Sequence, residues 1–174
     1  MYSPGPPDVI PRPGVIRSWM MQISGIFLAL GEDVFGELVR RISLGRLRTY
    51  QLFDQIKART HLVKLNNEHL RKAAPKLWAR IQGGEEDLAV DLSQALLVSH
   101  LDMIVEALDL LSIPHQDGFF AKDSDVKGYL KEGWQERVFE ALKGKYTPAV
   151  VTFYINHLGV ETGASEAIFA PAAA

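Results

Sequence analysis

The sequence predicts an all-α fold, a single bundle-like domain of about six to eight helices around a long central helix from Glu85 to Leu111. Three observations predict it. Apolar residues recur at helical spacing along most of the chain. Glycine, proline and capping residues cut that pattern into helix-sized lengths. No run alternates apolar and polar residues as a half-buried strand would, and no repeat of 20–50 residues is present.

Residues 1–14 carry Pro4, Pro6, Pro7, Pro11 and Pro13, which lack backbone N–H groups and fix φ, so an extended arm is expected there. The helical domain should span 15–163, with a flexible tail at 164–174. Val15 to Leu30 reads as the first helix, ended by Gly31. Asp33 to Ser43 follows, with Val34, Phe35, Leu38, Val39 and Ile42 in helical register. Arg46 to His61 reads as a third. Asn66 is a fitting N-cap for the next, but Pro75 interrupts the pattern. That predicts either two short helices, Asn67–Ala73 and Pro75–Gln82, or one kinked helix.

Gly83 and Gly84 precede the predicted spine. Glu85, Glu86 and Asp87 fall in its first turn, where acids favour the positive helix end. Asp91, Ser99, Asp102, Glu106 and Asp109 share one narrow side, and apolar residues fill the rest, which is the pattern of a central helix. Pro114 follows its end. Asp117–Gly118 is a turn signal, flanked by the exposed-looking Phe119 and Phe120. Asp123 or Ser124 should cap a helix running to Lys143, with Val126, Leu130, Trp134, Val138 and Leu142 as its inward stripe. Thr147 and Pro148 start a final helix, apolar almost all round, which Gly159 should close. Such a helix is either buried internally or packed against a second copy.

Composition bounds the function. At 47% hydrophobic and 23% charged residues, the chain can build a core and is not a disordered one. No cysteine is present, which removes disulfides, thiolate metal sites and thiol nucleophiles from this chain. The net charge of −2 gives no general attraction to nucleic acid or an anionic membrane. The charge is unevenly spread, however. Residues 31–82 hold eleven Lys/Arg against five Asp/Glu, and residues 83–145 hold six against thirteen. The simplest account is two helical layers with solvent faces of opposite sign; the sharper one is a basic face for an acidic partner. The apolar stretch Trp19–Leu30 is too short to cross a bilayer and lacks the features of a signal peptide, so a cytoplasmic location is expected. Met20 and Met21 are alternative starts to Met1.

No Walker loop, dinucleotide fingerprint, Gly-x-Ser-x-Gly or His-Glu-x-x-His occurs, so a non-enzymatic role is favoured. His100 lies on the predicted core face, where a neutral histidine bonded to a carbonyl or hydroxyl is the simplest reading. If the following loop folds back, His100, His115 and Asp117 would make a site for a divalent metal; no other cofactor is predicted. Asp123 to Gly128 imitates a calcium loop but places Lys127 and Trp134 where ligands belong, and is rejected. A helix-turn-helix over the 143–146 turn fails because its second helix lacks base-reading side chains. The leading expectation is a protein-interaction or regulatory module that binds a protein partner or itself, with Arg40, Arg41, Arg46, Arg48, Phe119 and Phe120 as contact residues. A small-ligand or metal site near His100, His115 and Asp117 is the alternative. Nucleic-acid binding through the basic 40–80 region ranks third and is disfavoured by charge.

Overall fold

The computed structural model describes residues 22–43, 67–120, 125–165 and 167–171. The Pro-rich arm, the predicted Arg46–His61 helix, the Asn66 cap, Arg46, Arg48, Asp123 and Ser124 lie outside the described residues. Within them the protein is all-helical: α1 (Ile23–Leu30), α2 (Glu32–Arg40), α3 (Asn67–Gln82), α4 (Glu86–Val98), α5 (Leu101–Leu110), α6 (Trp134–Leu142) and α7 (Pro148–Thr162), with a short 3-10 turn at Lys127–Tyr129. Among the described residues no helix is long and apolar enough to cross a membrane.

The helical spine is α7. It is apolar round most of its circumference, and Val150 to Ile155, Leu158 and Gly159 are all buried, so most of its surface is taken up inside the fold. Phe153 stacks on Phe27 of α1, centroids 4.8 Å apart; Phe27 meets Phe35 of α2 edge-on at 5.2 Å; Phe35 leans on Trp78 of α3 at 5.3 Å. This chain of rings ties four helices into one core, each contact contributing about 0.5–1.5 kcal/mol beyond the area it buries.

The predicted Glu85–Leu111 rod is corrected to two helices. α4 and α5 are bent by 81° at Ser99 and His100. The break is held from outside the helix. The Ser99 hydroxyl donates to the Ala95 carbonyl (2.6 Å) and accepts from the Ser43 N–H (3.0 Å), while His100 Nε2 bonds the Arg41 carbonyl (3.1 Å). A serine bonded back to the i−4 carbonyl loosens a helix at that point. The end of α2 then supplies partners for the exposed polar groups.

Other boundaries shift for local reasons. α3 runs unbroken through Pro75, which is exposed, so the carbonyl its missing N–H would have bonded can be hydrated. The predicted 123–143 helix is α6 alone, because Gly133 adopts a left-handed φ of 78° just before it. Its inward stripe survives the division: Val126, Trp134, Val138 and Leu142 are buried. Gly159 does not end α7. The helix continues to Thr162 and is closed by Gly163, at φ 71°. Gly159 is small because a Cβ there would collide with Ser165. The tail that was expected to fray returns to the core: Asn156, buried in α7, accepts from the Phe169 N–H (2.7 Å) and donates to the Phe169 carbonyl (2.9 Å). Finally, Glu86 in the first turn of α4 serves a different helix from the expected one, its carboxylate accepting from the Ile23 and Ser24 N–H groups at the start of α1.

Candidate functional site

The bend between α4 and α5 opens one side of the core. α4 presents Val90, Ser93, Gln94, Leu97 and Val98, which recur at i, i+3, i+4, i+7 and i+8 and so share a face. α5 adds Leu101 and Ile104, and α1 adds Ile23. The turn after α5 closes one edge. Asp117 and Gly118 both have positive φ, 53° and 93°, and the Gln116 and Phe119 backbones bond each other across the turn at 2.7 and 3.0 Å. This tight two-residue turn needs the Asp-Gly chemistry present there. It brings Gly118 against Leu101 and Ile104, and places Phe119 and Phe120 on the rim. The opposite wall is α7, with Tyr154, His157 and Glu161 at i, i+3 and i+7. Together they enclose a groove of about 400 Å³.

The groove is mostly apolar and has one polar end. His157 Nδ1 is sealed from solvent and has no hydrogen-bond partner; Glu161 Oε2 is 3.6 Å away, beyond bonding distance. The histidine side chain is 15% exposed. Burial pushes its imidazole down to about 4, so the ring is neutral at physiological pH. Burial pushes the neighbouring Glu161 carboxyl up. It also raises the Tyr154 phenol, with the Glu161 charge adding to the effect. The Tyr154 ring is buried, and its hydroxyl makes no hydrogen bond among the described residues. Ser93 is already engaged, donating to the Val90 carbonyl at 2.7 Å. Glu161 is the one charged side chain among the described residues lining the groove.

The sequence-predicted metal site is not assembled. His115 accepts from the Gly118 N–H at Nδ1 (3.1 Å), so its Nε2 carries the proton and donates to Asp109 (2.7 Å). Both nitrogens are thereby used, one on the turn and one on the last turn of α5. His100 is spent on the Arg41 carbonyl, and burial lowers its imidazole. Among the described residues no three His, Asp or Glu side chains are placed to hold a metal ion. The reason is the length of α5: His100 sits at its N-terminus and His115 is held by Asp109 at its C-terminal end.

Of the predicted contact residues, Arg40 and Arg41 lie at the exposed end of α2, Arg41 loosely paired with Glu37 at 3.9 Å. Phe119 is 59% exposed and Phe120 half-buried, and both line the groove. The acidic stripe on the former spine is partly engaged. Glu106 accepts from Lys145 Nζ and the Tyr146 hydroxyl, which holds its carboxyl low and pushes the phenol up to about 12. Burial of α7 also removes it as a helix that could enter a nucleic-acid groove.

Sequence reasoning missed Tyr154, His157 and Glu161 because they lie on a helix read for its apolar content. Their shared face was a usable signal. The chain matches no protein-family model, no curated protein and no solved structure.

Proposed function

We propose that this chain is a small-ligand-binding helical protein, with the α4–α5–α7 groove as its binding site. The observation that carries the reading is His157, its Nδ1 buried and unpartnered, in the wall of a groove lined mainly by apolar side chains. Leaving a buried polar atom unbonded costs about 1–3 kcal/mol. A ligand reaching the polar end could offset that cost by drawing Glu161 and the imidazole into a shared hydrogen-bond network. The volume supports the same reading, since small-molecule sites are apolar clefts of about 300–1,000 Å³ with a few placed polar groups.

The test uses Nile red, a neutral apolar dye, with the full chain. Saturable fluorescence enhancement is expected, together with its loss in Val90→Trp, whose side chain fills the groove, at unchanged circular dichroism. Absence of saturable binding to the native protein, or full binding by V90W, refutes the reading.

A second reading, docking of a partner chain on the same face, is favoured by Phe119, whose ring stands largely in solvent at the rim. A homo-oligomer is its simplest version. Light scattering at high protein concentration tests it, and a strict monomer removes it.

A further inference from the structure

We propose that the groove selects organic cations, an ammonium group carried on an apolar or aromatic body, with Glu161 as the counter-ion at its polar end. The inference rests on the groove being the binding site and adds the class of ligand. Charge complementarity carries it. Among the described lining residues Glu161 is the one charged side chain, and no lysine or arginine is among them to receive an anion. An anionic ligand would therefore meet a carboxylate with no compensating charge.

His157 does not alter that balance, because burial keeps the imidazole neutral near pH 7. The remaining walls also suit a cation. Phe119, Phe120 and Tyr154 supply three aromatic rings around the mouth and side of the groove, and ring faces attract ammonium groups. An ammonium has three donors and no acceptor. The exposed acceptor at this end is the Glu161 carboxylate, which makes no hydrogen bond among the described residues and lies 3.6 Å from His157 Nδ1. A neutral apolar molecule would fill the volume and leave this carboxylate unmatched.

Three probes of nearly the same shape separate the possibilities: phenethylammonium, 2-phenylethanol and 3-phenylpropionate. Titration calorimetry on the full chain at pH 7.5 and low salt should rank them in that order. The ammonium should bind roughly tenfold more tightly than the alcohol, the sum of a partly exposed charge contact and ring attraction. Glu161→Gln should bring the ammonium down to the level of the alcohol; Glu161→Asp should keep part of the preference. Equal affinities, a preference for the carboxylate, or a preference that survives E161Q would overturn the inference. So would Nile red binding with none of the three probes bound. Loss of Nile red binding as well would instead bring down the groove reading beneath it.

Discussion

Acidification should destabilise this protein through His157, and replacing that residue with phenylalanine should remove the effect. The imidazole is held near 4 in the fold against 6.5 in an exposed chain. Between those values the unfolded chain binds more protons than the folded one, so stability must fall as pH falls. The stabilisation is complete above about pH 6.5 and is lost progressively toward pH 4. A shift of that size corresponds to about 3 kcal/mol in the limit, and to about 2 kcal/mol already at pH 5. Glu161 acts in the opposite sense. Its carboxyl is raised in the fold, so it takes up a proton there more readily than in the unfolded chain and offsets part of the loss. Because both proteins keep Glu161, the difference between wild type and H157F isolates the histidine. Urea unfolding at pH 7.5, 6, 5 and 4.5 is the assay. At pH 7.5 the variant should be at least as stable, since it no longer buries an unbonded nitrogen. The two curves should then separate by about 2 kcal/mol by pH 5. Parallel curves would refute the reasoning, as would an imidazole titrating above pH 6 by NMR.

Further consequences can be checked on the same unfolding assay. Asn156→Leu removes both bonds to Phe169 and leaves its N–H and carbonyl unpaired, which should cost about 2–4 kcal/mol and expose the tail to proteolysis. Phe153→Ala, at the buried centre of the ring cluster, should cost about 3–5 kcal/mol. Gly159→Ala should cost about 1–3 kcal/mol because the new methyl meets Ser165, and Ser165→Gly in the same chain should restore most of it. Glu86→Ala, which uncaps α1 rather than its own helix, should cost about 1 kcal/mol and speed amide exchange at Ile23 and Ser24.

The helical class and most termini could be read directly from the chain, because they depend on local chemistry. Thr147–Pro148 starts α7, Gly31 ends α1, and Asp117–Gly118 forms the turn, each through backbone preferences that act within a few residues. The inward stripe from Val126 to Leu142 was also legible, although the helix expected to carry it is divided at Gly133. The bend at Ser99 and His100 was not. Neither residue is a proline or glycine, and the groups that hold the bend open belong to residues 41 and 43, some 56 to 59 positions away in sequence.

The site depended on that same long-range decision. A straight rod would have presented one continuous apolar surface, whereas the bend turns α5 and the Asp117 turn across α4 and leaves a groove facing α7. The metal site that spacing suggested dissolves because His100 turns to the Arg41 carbonyl while His115 is held by Asp109 at the far end of α5. The polar end of the groove shows the same division between local and tertiary causes. Sequence alone places Tyr154, His157 and Glu161 on one face of α7, because helical periodicity is a property of the backbone. Only tertiary packing makes His157 neutral and unpartnered, because burial depends on which surfaces close over a side chain, and those surfaces come from elsewhere in the chain.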